Sequence, residues 1–107
     1  MQILVYALCS RGESLREAIA NDSSLGKYGL EVVREKQPGR SPGWMKLRGA
    51  DSTRGALNIE WDPQSAVLNA RVVTRGSRRP SPIVGDFLNY LLARHRTRVQ
   101  AVTTAYR

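Results

Sequence analysis

The sequence predicts an α+β sandwich of two layers, in which two helices cover one face of a mixed β-sheet of five to six strands. Three observations support this prediction. The chain has 107 residues, which suits a single domain spanning 1–107. Its apolar residues fall into short runs typical of strands. Two segments carry the signals of a helix start.

The first part of the chain is predicted to form a strand, a helix and a second strand. Residues 2–9 are nearly all apolar, as in a buried strand. Ser14 and Glu17 have the spacing of a capping box, so a helix is expected to begin there and to end among the turn formers of 21–29. Residues 30–36 follow as a strand, and this order favours a right-handed parallel crossover.

The middle of the chain is predicted to be β-structure. Residues 37–43 hold two prolines and two glycines and are expected to form a loop. Residues 44–48 alternate in polarity as a strand does. Segments 55–61 and 66–75 flank a turn over 62–65 and predict a hairpin. The expected cross-strand pairs are Trp61 with Ala66, Ile59 with Leu68, Leu57 with Ala70, Glu60 with Val67, Asn58 with Asn69 and Ala56 with Arg71.

The last part is predicted to be a basic loop, a helix and a strand. Residues 76–80 form the loop, Ser81 is the expected N-cap and Pro82 the first helical residue. Residues 98–106 are rich in β-formers. The order β-α-β-β-β-β-α-β is similar to that of ferredoxin-like sandwiches, with an extra strand or hairpin in the middle.

Charge is the strongest functional signal. The formal net charge is +8, and 14 of the 17 basic residues are arginines. A pI near 10.6 is typical of nucleic-acid-binding domains, although acidic proteins and anionic membrane surfaces also attract such a charge. No apolar run approaches the roughly 20 residues of a membrane span, so we expect no membrane insertion. The lone Cys9 and the absence of a signal-peptide pattern predict a cytoplasmic protein.

A first candidate binding surface is the predicted strand that carries Trp44, Lys46 and Arg48 on one side. Arg34 and Lys36 are expected on a neighbouring strand. An aromatic ring among cations on an open sheet is able to stack a base while the cations hold phosphates. The alternative is that Trp44 packs under a loop and the cations are merely solvated.

A second candidate lies at the two predicted helix entrances. Arg11 precedes the first helix, and Arg75, Arg78 and Arg79 precede the second. If both helices follow parallel strands, these arginines meet at one edge of the sheet, where Arg40 joins them to form a phosphate site. The alternative is ordinary capping with solvated arginines.

Signals of enzyme chemistry are weak. Cys9 and Arg16 are separated by six residues, whereas the loop of the cysteine phosphatases has five, so Cys9 is interpreted as a buried strand residue. His95 is the only histidine and is expected at a helix end. No metal-ligand spacing, Walker loop or dinucleotide fingerprint is present. We therefore expect no catalytic activity, no cofactor and no metal.

These observations predict a non-enzymatic nucleic-acid-binding protein. RNA or single strands are favoured because no helix-turn-helix spacing is evident. One alternative is an interaction module that forms a homodimer through an uncovered sheet face, with Trp44, Trp61 and Tyr106 in the interface. A second alternative is a small protein that binds a phosphate or another anionic ligand.

Overall fold

A computed structural model describes residues 2–51 and 55–106 of the chain. Six strands and two α-helices follow one another in the order that the sequence predicts. Their bounds are β1 (Gln2–Cys9), α1 (Leu15–Ala20), β2 (Leu30–Arg34), β3 (Trp44–Gly49), β4 (Ala56–Asp62), β5 (Val67–Val73), α2 (Ser81–Arg94) and β6 (Val99–Tyr106). A short 3₁₀ turn over Leu25–Tyr28 links α1 to β2.

The strands form one sheet in the order β2-β3-β4-β5-β1-β6, and every neighbouring pair is antiparallel. The α+β class is therefore confirmed, but the prediction of a mixed sheet is wrong. The strands β1 and β2 do run in the same direction, yet they are not neighbours, because the meander β3-β4-β5 lies between them. The ferredoxin-like topology is not confirmed, since the strand order differs.

One face of the sheet carries the core. Along β1 the residues Ile3, Val5 and Ala7 are buried while their neighbours are less so, which is the alternation of a strand with one covered face. The buried residues of α1 and α2 join the same cluster, so both helices lie on that face. The helices contribute Leu15 and Ile19 from α1 and Ile83, Val84, Phe87, Tyr90 and Leu91 from α2. No helix of the described residues covers the opposite face, which we call the open face.

The β4–β5 hairpin forms, but its register differs from the predicted one by two residues. Trp61 pairs with Leu68, and Asp62 pairs with Val67. The turn is displaced because Asp62 accepts hydrogen bonds from the Gln64 amide and the Ser65 hydroxyl, both at 2.9 Å, which keeps Asp62 at the end of β4. Since a shift of two residues preserves the side-chain faces, the predicted inward and outward sets remain correct.

The helix starts agree with the sequence to within one residue. The Ser14 hydroxyl accepts a 3.3 Å hydrogen bond from the Glu17 amide, so the predicted N-cap of α1 is confirmed. In α2 the cap is Pro80 and Ser81 is already helical. The reason is that Pro80 has helical φ and ψ, and its carbonyl accepts a 3.0 Å bond from the Val84 amide.

A buried arginine fastens α1 to the sheet. Arg16 is only 3% exposed. Its guanidinium donates to the Trp44 carbonyl at 3.2 Å, to the Glu17 carboxylate at 2.6 Å and to the Glu35 carbonyl. Because these acceptors lie on three separate segments, Arg16 holds the helix, the start of β3 and the end of the β2 region together.

A polar cluster ties the turn after α1 to the end of α2. The Tyr90 hydroxyl lies 2.9 Å from Asp22 Oδ2 and 2.8 Å from His95 Nε2, and Arg94 donates twice to Asp22 at 3.2 Å. Burial alone raises the pKa of Asp22, but the hydrogen bonds outweigh it and lower that pKa to about 2. An ionised Asp22 only accepts, so Tyr90 donates to it, and His95 Nε2–H then donates to the Tyr90 oxygen.

Candidate functional site

The open face carries a row of four polar side chains across four strands, and three of the four are basic. Arg34 of β2 lies opposite Lys46 of β3, Lys46 opposite Asn58 of β4, and Asn58 opposite Arg71 of β5. Neighbouring strands are about 4.8 Å apart, so this row places three cations within roughly 15 Å. Such a row is an extended positive surface and not an isolated charge.

A cleft of about 390 Å³ opens at one end of this face. Four of the predicted site residues line it together with small or apolar neighbours. The lining residues are Lys46, Arg48, Arg75 and Arg78, with Val33, Gly55 and Ala56. We call this the basic cleft.

Two structural elements place these cations. Lys46 and Arg48 are two positions apart on β3, so both side chains leave the sheet on the open face. Arg75 and Arg78 lie in the turn that follows β5. That turn is closed by a 3.2 Å bond from the Arg78 amide to the Arg75 carbonyl, and the buried Thr74 hydroxyl donates to the Arg78 carbonyl at 2.8 Å. The turn therefore holds its arginines beside the sheet.

Gly55 forms part of the wall of the cleft and has a φ of +118°. A Cβ there would lie 2.9 Å from both the Val73 carbonyl and the Thr74 methyl. Only glycine fits this combination of backbone angle and close approach. The sequence thus brings the chain entering β4 tightly against the end of β5, where the basic turn begins.

The electrostatic balance of the cleft is positive. Arg48 Nε contacts Glu31 Oε1, but both side chains are about half exposed, so the pair is weak. Lys46 and Arg75 have no carboxylate partner among the residues that the structure describes. A phosphate entering the cleft would therefore meet unneutralised cations and would compete with Glu31 for Arg48.

The predicted site residues divide between the two ends of the sheet. Lys46, Arg48, Arg75 and Arg78 come together in the basic cleft, and exposed Arg79 follows them in the chain without lining it. Arg11 and Arg40 lie at the opposite end. The expectation that both helix entrances share one edge is wrong, because the preceding strands β1 and β5 are antiparallel neighbours.

Trp44 is not available to stack a base. Its side chain lies at the start of β3 opposite Glu60 but is only 3% exposed. Arg40, in the loop 37–43, lies over the indole ring at 5.2 Å from its centroid. This position agrees with the alternative interpretation of the sequence, in which Trp44 packs under a loop.

Two residues of the open face were not found by sequence reasoning. The predicted register paired Arg71 with Ala56, whereas the observed register places it opposite Asn58, in one row with Lys46 and Arg34. Tyr6 lies within residues 2–9, which were predicted to form a buried strand. It is half-buried on the open face, opposite Asn69 of β5. The alternation of burial along β1 was hidden because both of its faces are apolar in composition.

The remaining chemical candidates are structural. Cys9 is 7% exposed, and burial raises the pKa of its thiol, so it is a poor nucleophile. His95 belongs to the cluster with Asp22 and Tyr90. Within residues 2–51 and 55–106, no group of three His, Cys, Asp or Glu side chains is arranged to hold a metal ion. No helix in those ranges has the length and apolar character needed to cross a membrane.

No protein-family model, curated protein or solved structure matches this chain. The open face and the basic cleft are the features of the described structure whose geometry and charge point to a function.

Proposed function

We propose that the protein binds RNA or another single-stranded nucleic acid, without catalysis, through the basic cleft and the open face beside it. The observation that carries this proposal is the convergence of four cations from two separate segments on one cleft. A net charge of +8 would add long-range attraction for a polyanion.

The arrangement of the cations favours a phosphate backbone as the ligand. Lys46 and Arg48 are about 7 Å apart along β3, which is comparable with the separation of neighbouring phosphates in an extended strand. The row from Arg34 to Arg71 leads away from the cleft across the sheet. A strand bound in the cleft would therefore continue over the open face and pass toward Tyr6, whose ring offers a partner for stacking.

Single strands are favoured over duplex DNA because no helix of the described residues presents a basic recognition surface. The longest helix, α2, packs one side against the sheet, and its last-turn Arg94 is bound to Asp22. A flat sheet face is the surface that single strands use in many small RNA-binding domains. Under this proposal the ligand binds on the side of the sheet that no helix of the described residues covers.

The proposal is tested by fluorescence anisotropy with a labelled single-stranded RNA and a duplex DNA at two salt concentrations. The variant Lys46→Gln/Arg75→Gln removes two cations that lack carboxylate partners in the described structure. The control Lys27→Gln/Arg96→Gln lowers the net charge equally at exposed sites away from the open face. We expect the cleft variant to bind the RNA at least about tenfold more weakly and to flatten the logarithmic salt dependence by about 1.4, since each lost phosphate contact removes about 0.7.

Equal losses in the two variants would show that only the overall charge attracts nucleic acid, and the proposed site would be wrong. Tighter binding of the duplex than of the single strand would contradict the preference for RNA or single strands. Absence of measurable binding at low salt would reject nucleic-acid binding altogether.

The volume of the cleft also favours a second candidate, a small anionic ligand. A cavity of about 390 Å³ has the size of ordinary small-molecule sites. Competition decides between the two: if a nucleoside monophosphate displaces the RNA only at far higher concentration, the polymer is the ligand. If the monophosphate binds as tightly as the RNA, the cleft is a small-ligand site.

A further inference from the structure

The strand β6 forms one edge of the sheet and has no partner on its outer side among the described residues. It is eight residues long, from Val99 to Tyr106, and pairs only with β1. It contains no charged residue and no proline. Most of its residues are exposed, and Tyr106 is 75% exposed although it lies opposite Ile3 on the helix-covered face. An edge of this kind presents a free ladder of backbone donors and acceptors.

The opposite edge, β2, is built differently. It has five residues, carries Glu31 and Arg34, and its pairing with β3 is interrupted by a register shift between Val32 and Arg34. Short length, charge and a bulge are the features by which proteins prevent an edge from pairing. The edge formed by β2 is therefore protected against pairing, whereas the edge formed by β6 is not.

We propose that β6 pairs antiparallel with β6 of a second copy of this chain, giving a homodimer with one continuous sheet. Two copies that each carry +8 repel one another, so they approach best along a strip without charge, which β6 supplies. A strand from an acidic partner would find no cation between Val99 and Tyr106 to favour it. Protection of β2 stops the assembly at two copies, as a closed two-fold interface requires.

Symmetry fixes further details of this dimer. The two-fold axis between antiparallel strands is perpendicular to the sheet, so helix-covered faces continue into helix-covered faces. One residue must then face its own counterpart, and for the longest overlap this residue is Val102 or Thr103, at the centre of β6. The open faces of the two copies therefore lie on the same side of the dimer. The dimer is thus a property additional to the nucleic-acid binding proposed for a single copy.

The homodimer differs from the one considered from the sequence. That interface placed Trp44, Trp61 and Tyr106 on an uncovered sheet face, but the two tryptophans are 3% and 6% exposed. Only Tyr106 remains accessible, and it belongs to the open edge. The contact is therefore assigned to backbone pairing along β6 and not to packing of aromatic side chains across a face.

The mass in solution, measured by sedimentation equilibrium over a range of concentrations, tests the proposal. We expect twice the 11.9 kDa of the chain at high micromolar concentration. Thr103→Lys places like charges near one another at the centre of the interface and is expected to weaken association at least about tenfold. Thr97→Lys, an exposed threonine just before β6, adds the same charge and is expected to leave association nearly unchanged.

A second measurement does not depend on the tolerance of β6 for lysine. Thr103→Cys places an exposed thiol near the proposed axis, while native Cys9 is buried. A short bis-maleimide is expected to link Thr103→Cys into a covalent dimer and to leave the control Ser23→Cys monomeric. A monomeric mass at all concentrations, equal effects of the two lysine variants, or growth into larger polymers would overturn the proposal.

Discussion

Replacing Asp22 with asparagine tests how strongly the polar cluster joins the turn after α1 to the end of α2. The Asp22 side chain is 5% exposed and receives bonds from Arg94, Tyr90 and the Ser24 amide. Its pKa is lowered from 3.8 to about 2. At about 1.4 kcal/mol per pKa unit this is roughly 2 kcal/mol, which screening at the half-exposed Arg94 reduces to about 1–2 kcal/mol.

The sign of the effect with pH follows from the lowered pKa. Stabilisation by ionised Asp22 is complete above about pH 4 and is lost as the pH falls through about 2, because the unfolded chain takes up the proton first. An asparagine side chain at this position has no such proton to bind. The stability difference between the native protein and Asp22→Asn should therefore be largest near neutral pH and shrink toward about pH 2.

Urea unfolding at a series of pH values measures this difference directly. The control is Glu13→Gln, which removes an exposed carboxylate at a loop position and keeps the cluster intact. A loss near neutral pH that stays constant down to about pH 2 would refute the electrostatic argument, because asparagine would then act only through packing. A loss equal to that of Glu13→Gln would show that the cluster contributes little.

Two further predictions concern single residues of the scaffold. A Cβ on Gly43 would overlap the Trp61 carbonyl oxygen, so Gly43→Ala should lower the free energy of unfolding by about 1–3 kcal/mol in denaturant titrations. Gly26→Ala, with no atom within 4 Å of the new Cβ, should leave it nearly unchanged, and similar losses in both would contradict the steric argument. Cys9 should react with a thiol reagent far more slowly in the native protein than in denaturant, because burial raises its thiol pKa. Equal rates would show that the thiol is accessible.

Local signals in the sequence predicted the elements well, and their arrangement less well. The N-cap at Ser14 and the alternation from Leu57 to Trp61 each depend on neighbouring residues, and the structure agrees with both. Whether the sheet is mixed or antiparallel depends on which strands lie beside β1. These neighbours are determined by contacts between β1 and residues 67–73 and 99–106. No pattern within a single segment carries that information.

The candidate site was also predicted only as far as local sequence patterns allow. Lys46 and Arg48 were predicted to share one face of a strand, because strand alternation depends only on neighbouring residues. Arg75 and Arg78 were predicted to lie close together, because they are three positions apart in the segment before the second helix. That these two pairs line one cleft follows from the packing of β3, β4 and β5. The burial of Trp44 was not predictable from its strand, since the residue that covers its ring, Arg40, lies in a loop of irregular conformation.

The position of β1 determines the order in which this sheet is able to fold. Its two neighbours, β5 and β6, lie far along the sequence, whereas β2, β3 and β4 each pair with their immediate successor. The meander therefore forms from local contacts, but β1 waits for partners about 60 to 100 residues away, a separation that slows folding. During synthesis, the largely apolar β1 has no partner strand until β5 has emerged, and its other side stays unpaired until β6 follows.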